Sequence, residues 1–138
     1  SEMCIRDRIK RAKEVGDVII LPHIGASTRQ AEENCSVMAA DQIKDFLENG
    51  NIKNSVNFPE LIEERQSDFR LTLSNRNVAG MIGQITTILA ENNINIVELI
   101  NKSRDEIAYN VIDLETKPSE KVIADLEALE NVINVREV

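Results

Sequence analysis

The chain has 138 residues, 42% hydrophobic and 29% charged, with a net charge of −8. The length allows one domain or two very small ones, and the composition is that of a globular protein. The charge is spread, with 9 basic against 13 acidic residues in 1–68 and 7 against 11 in 69–138, so no basic face offers itself to nucleic acid or an anionic membrane.

No apolar run approaches the ~20 residues of a membrane span, and no stretch reads as a secretory signal. Aromatic residues are 3% and tryptophan is absent, so the core must be aliphatic. Cys4 and Cys35 lie far apart without metal-ligand spacing, and two cysteines make no disulfide framework. The expectation is a reducing, cytoplasmic protein with no metal site.

Residues 1–8, SEMCIRDR, fit nothing downstream. They resemble translated sequencing adapter at the ends of metagenomic reads and are set aside as a non-native segment; the alternative is an ordinary charged helix start. On the first reading the frame is truncated, and residue 9 onward begins inside a larger protein. Residues 9–15 are charged and compatible with a helix, and Gly16 breaks them. Val18 to Leu21 is a short, wholly apolar, β-branched run, the pattern of a buried strand in a parallel sheet. Pro22 ends it, and His23 follows at the strand's carboxyl end, where open α/β sheets bind ligands.

Ser27 or Thr28 can cap the next helix, with Gln30 as a capping-box partner. That helix is expected from about Thr28 to Glu48. Its stripe is Ala31, Cys35, Met38, Ala39, Gln42, Ile43, Phe46 and Leu47, and Asn49-Gly50 stops it. Val56 and Phe58 alternate with Ser55 and Asn57, so an extended segment ending at Pro59 follows. Residues 59–68 are acidic and polar with one apolar pair, Leu61-Ile62, and are set down as a linker, a short connecting helix being the alternative.

Residues 69–138 look self-contained. Phe69, Leu71 and Leu73 alternate with polar residues as a strand with one buried face. Asn75-Arg76-Asn77 is a turn closed by Gly80, and Met81, Ile82, Ile85, Ile88 and Leu89 recur at helical spacing. Strand two is expected over 95–100 and strand three over 107–114, with Tyr109, Val111 and Asp113 on one face. A charged turn, Asn101 to Glu106, separates them. Tyr109 is expected to pack with its hydroxyl at the surface, and Asp113 and Glu115 to be solvated. Helix two carries Val122, Ile123, Leu126 and Leu129, and strand four is Val132 to Val138. The fold class is α+β: a βαββαβ unit of ferredoxin-like type, preceded by a strand-helix-strand remnant of an α/β domain. So small a unit is expected to bury surface against another copy.

The strand, asparagine-rich turn and helix start at residues 69–95 make a place for a small polar molecule. The first turn of a helix has unpaired N–H groups that suit a carboxylate. Asparagine supplies both donors and acceptors, which suits an amino acid. A single asparagine in a turn is more simply a residue that tolerates unusual backbone angles.

Two stretches carry a resemblance. LPHIGASTRQAEENC followed by GNIKNSVNFP resembles the end of the catalytic part of the D-3-phosphoglycerate dehydrogenase family, a branch of the D-2-hydroxyacid dehydrogenases. RLTLSNRNVAGMIGQITTILAENNINIVELINKSRDEIAYNVIDLE resembles the ACT domain that ends its bacterial members. The resemblance implies a division into a catalytic remnant at 9–58, a linker at 59–68 and an ACT regulatory domain at 69–138. It implies hydride transfer from 3-phosphoglycerate to NAD in the parent enzyme, with His23 as general base and Ile24, Gly25 and Ala26 beside the nicotinamide. By spacing alone a lone histidine reads as structural; the catalytic role comes from the PHIGAST context. The sequence holds no GxGxxG turn, and the family's substrate arginine and orienting acid have no counterpart, so the chain alone is expected to be inactive and not to bind NAD.

The resemblance also implies an effector site for L-serine between two ACT subunits, its polar residues falling on Asn75, Asn77 and Asn95. Asn75 stands where one branch has histidine, and Ala79 where proline is usual. The amides of Asn77 and Asn95 are expected to meet across one pocket. Two other readings stand beside this one: a free-standing amino-acid-binding ACT dimer without catalysis, and an assembly domain that binds nothing.

Overall fold

The computed structural model describes residues 27–138, in two units divided between Val37 and Met38. The segment 18–21 and the residues His23, Ile24, Gly25 and Ala26 lie outside the described residues. Helix α1, Arg29–Asn49, starts as expected from a Thr28 cap: Thr28 Oγ1 accepts from the Ala31 N–H at 3.2 Å. It ends at Gly50, whose φ of 73° is the left-handed conformation of a C-terminal glycine. A Cβ on Gly50 would lie 2.2 Å from Thr72 Cγ2, so close packing on the sheet also demands glycine. Arg136 donates to the carbonyls of Phe46 and Leu47 at 3.1 and 3.0 Å and lies over the Phe46 ring, satisfying the last turn.

The second unit is built on four strands: β1 Phe69–Arg76, β2 Ile96–Arg104, β3 Ile107–Leu114 and β4 Val132–Glu137. All pairings are antiparallel, in the order β2-β3-β1-β4. Helices α2 Met81–Glu91 and α3 Glu120–Glu127 complete the βαββαβ order. Their apolar faces close one side of the sheet: Leu71, Leu73, Ile112 and Leu114 pack with Ile85, Leu89, Val122 and Leu126. Ser119 caps α3 as its sequence position suggests, accepting from the Val122 N–H. Asn92 ends α2, and Asn93 takes a positive φ of 54° that turns the chain into β2. The β2–β3 hairpin is longer than the alternation indicated: Asn101 to Arg104 pair as strand, and only Asp105-Glu106 turn.

The sheet's second face is covered too, and several expectations change there. Residues 55–58 are not an extended strand: the chain bends, and a lone bridge joins Ile52 to Leu61. Val56 is 86% exposed, while Leu61, in the stretch read as a linker, is 1% exposed. Ile52, Leu61, Phe58 and Ile100 form a second cluster with Tyr109 and Val111. The Tyr109 hydroxyl is therefore not at the surface but donates to Gly50 O at 2.7 Å, with Phe58 edge-on to its ring. Burial pushes the Tyr109 pKa up.

Asp113 is likewise buried rather than solvated. Arg70 Nε and Nη2 donate to its two oxygens at 2.6 and 2.8 Å. The other Arg70 N–H groups reach Asn49 O, Glu63 O and Glu64 O at 2.9 to 3.1 Å. Asp113 Oδ2 also accepts from the Gln66 N–H at 2.8 Å. Burial alone would raise the Asp113 pKa, but the Arg70 guanidinium and the Gln66 N–H outweigh it and hold the carboxyl below its usual range.

Two outcomes test this packing by urea unfolding. Leu61→Ala should cost about 2–5 kcal/mol and Val56→Ala less than about 0.5 kcal/mol, because only the first leaves a cavity. Removing Asp113's guanidinium partner with Arg70→Met should cost about 3–5 kcal/mol, because it strands a buried carboxylate. Since Asp113's folded pKa is depressed, its stabilisation is present above the ordinary carboxylate range and lost as pH falls through the folded value. Asp113→Asn should therefore flatten the acid limb of a stability–pH curve.

Candidate functional site

Cavities of two kinds, one apolar and one polar, open in the second unit. The larger, about 560 Å³, lies on the second face among Ile43, Phe46, Phe58, Tyr109, Ile133 and Arg136. Its walls are largely apolar, the Tyr109 hydroxyl is taken by Gly50, and Arg136 is engaged with the end of α1. The smaller, about 310 Å³, opens at the start of α2 and is lined by Asn75, Asn77, Gly80 to Gly83 and Asn101. Its lining carries three asparagine amides beside the first turn of α2.

Gly80 holds the key turn. Its φ of 87° directs the chain into α2, and no side chain caps that helix. The first backbone bond inside α2 runs from the Gln84 N–H to Gly80 O at 3.1 Å. The N–H groups of Met81, Ile82 and Gly83, residues that line the cavity, therefore have no intrahelical partners, at the positive end of the helix dipole. The turn is fixed from below: the Asn77 N–H donates to Glu106 O at 2.8 Å, and Asn77 Nδ2 to Asp105 O at 3.1 Å.

Asn75 is buried near the end of the central strand β1. Its Nδ2 donates to Arg76 O at 2.7 Å, and its Oδ1 accepts from Asn110 Nδ2 at 2.8 Å. Asn110 also donates to Leu73 O at 3.1 Å and accepts from Asn101 Nδ2 at 2.6 Å. A chain of amides thus crosses β2, β3 and β1 under the cavity. Asn101 read in sequence as part of a solvated turn, and Asn110 was not singled out. Alternation does place Asn110 on the helix-facing side of β3, where a buried amide signals a polar network.

The three asparagines expected together are only partly so. Asn75 and Asn77 share the cavity; Asn95 does not. Asn95 precedes β2, and its Nδ2 donates to Glu115 at 3.0 Å, beside the Ile96–Leu114 pair. The cavity end of β2 pairs Ser103 with Ala108, about eight residues or ~26 Å along the strand at ~3.3 Å per residue. Within one chain the amides of Asn77 and Asn95 do not meet, because the α2–β2 connection returns the chain to the far end of the sheet. Among the described residues no cluster of metal-ligating side chains occurs, and no helix is long and apolar enough to cross a membrane.

Residues 69–131 match the family described as ACT domain. D-3-phosphoglycerate dehydrogenase of Haemophilus influenzae is 32% identical over 129 residues, covering 93% of this chain and 32% of that protein. The protein of the same name from Escherichia coli K12 is 30% identical over 125 residues, covering 89% of this chain and 30% of the relative. The chain thus spans about a third of the length of these relatives. Among solved structures, the ACT domain from GTP pyrophosphokinase of Chlorobium tepidum covers 51% of this chain with 18% identity and a TM-score of 0.45.

Gly80→Ala tests how the turn is made. Open space surrounds a Cβ there, the nearest atom being Gln84 Nε2 at 3.9 Å, so the cost should be conformational, about 1–2 kcal/mol in thermal or urea unfolding.

Proposed function

We propose, from the premise that residues 69–131 are an ACT domain, that the chain is the regulatory end of an NAD-dependent D-3-phosphoglycerate dehydrogenase and binds L-serine as a feedback effector. The observation that carries the effector reading is the uncapped start of α2, facing Asn75 and Asn77 across one cavity. A carboxylate would take the free N–H groups of Met81, Ile82 and Gly83, and the amides would take the polar remainder of a small amino acid.

Asn95 would enter from a second copy of the chain. Its place at the opposite end of the sheet is incompatible with a one-chain site but compatible with a pocket shared by two subunits. Self-association through the ACT domain is therefore part of the proposal. Serine bound across such an interface would act on catalysis by favouring one arrangement of subunits, a coupling between two sites.

The enzymatic part of the reading rests on the relatives, which align over 87–93% of this chain and so extend well upstream of the ACT domain. In the longer protein His23 would take the hydroxyl proton of 3-phosphoglycerate as hydride leaves. NAD would supply the hydride acceptor there. The segment Ile24, Gly25 and Ala26 lies outside the described residues, and the sequence holds no GxGxxG turn, so NAD binding and catalysis are proposed for the longer protein and not for these 138 residues. A cytoplasmic location follows from the same reading.

Calorimetric titration of the chain with L-serine should give saturable binding. Asn77→Ala and Asn95→Ala should each weaken it about tenfold or more, the loss expected when a charge-assisted or buried hydrogen bond is removed. A sedimentation measurement should show dimers, favoured further by serine. Absence of heat with any small amino acid would remove the effector reading.

A further inference from the structure

Hydrogen-bond accounting in the amide chain fixes which atom Asn101 offers the cavity. Asn110 is fully buried, and both hydrogens of its Nδ2 are committed, to Leu73 O and Asn75 Oδ1. Its Oδ1 is therefore the acceptor, and Asn101 must turn its Nδ2 toward it, at 2.6 Å. That leaves Asn101 Oδ1 on the cavity side, where no donor among the described residues reaches it. Asn77 is oriented in the same sense, its Nδ2 donating to Asp105 O. The cavity so presents backbone N–H donors at the α2 start and amide oxygens at Asn77 and Asn101.

We infer that Asn101 is a specificity-determining residue that recognises the ligand's ammonium group, with Asn110 as the positioning residue that locks its amide. Donors at one end and acceptor oxygens at the other match a zwitterion. A 2-hydroxy acid satisfies the donors equally well but brings no positive charge to the amide oxygens, so the site selects α-amino acids over the corresponding hydroxy acids. This rests on the effector reading above and goes further by naming the discriminating group.

The test is a calorimetric comparison of L-serine with L-glycerate, which carries hydroxyl in place of ammonium, on the 138-residue chain. The unaltered chain should prefer L-serine at least tenfold, because hydrogen bonds to a charged group are the stronger ones. Asn101→Leu, on an exposed strand position, should weaken L-serine about tenfold, leave L-glycerate nearly unchanged and so erase the preference. An Asn101→Leu chain that keeps the preference, or one that loses L-serine and L-glycerate alike while melting at the unaltered temperature, would overturn the assignment and leave the effector reading standing. Failure of the unaltered chain to bind L-serine or any other amino acid would overturn both.

Discussion

The Arg70–Asp113 pair ties residues 49 and 63–66 to the sheet of the second unit. A guanidinium has five N–H donors and no acceptor, and all five of Arg70's are used: two on Asp113 and three on the carbonyls of Asn49, Glu63 and Glu64. Both side chains are essentially inaccessible, at 0% and 1% exposure. Burying such a pair is costly unless every donor finds a partner. Here the carbonyls at the end of α1 and along residues 63–64 supply those partners, so the charge and the segment that covers it need each other. Lysine could not replace arginine, since three donors on a point charge cannot span a carboxylate and three carbonyls.

This clamp explains why the sheet is buried on both faces. A four-stranded antiparallel sheet with two helices normally leaves its other face to water, and alternation then separates apolar from polar residues. In β1, Leu71 and Leu73 turn toward the helices while Arg70, Thr72 and Ser74 turn toward residues 50–66, and all are buried. The same strand carries the clamp near its start and Asn75 near its end. Because β1 lies between β3 and β4, the cavity at the start of α2 is built on the most constrained strand of the sheet. The amide chain Asn101–Asn110–Asn75 adds cross-strand rigidity at that end, with its buried polar atoms satisfied. The proposed ligand would meet groups already oriented, which would limit the entropy lost on binding.

Much of this was legible in the sequence. The period of two in Phe69 to Leu73, the helical spacing of Met81, Ile85 and Leu89, and the Ser119 cap give the βαββαβ order directly. What alternation cannot report is a second covering layer. Asp113 and Tyr109 fall on the face away from the helices, so Asp113 reads as solvated and the Tyr109 hydroxyl as exposed. The Tyr109 ring packs with Ile52, Leu61 and Phe58, and Asp113 is held by Arg70 and the Gln66 N–H; residues 50–66 are a polar, proline-containing stretch with no period of its own. The candidate site was half legible. Asn75 and Asn77 stand in an evident turn, but the separation of Asn95 from them follows from sheet topology, not from local spacing. The role of Asn110 emerges only when cross-strand register sets it beside both Asn101 and Asn75.

The central claim is that a small amino acid binds at the first turn of α2, between two copies of the chain. An amide-resolved NMR titration with L-serine tests it most directly. The account predicts saturable shifts in the backbone N–H signals of Met81, Ile82 and Gly83 and in the side-chain amides of Asn75, Asn77 and Asn95, while the Arg70 guanidinium signal stays in place. Shifts confined to the larger cavity around Phe58 and Tyr109, or no shifts at saturating serine, would contradict it.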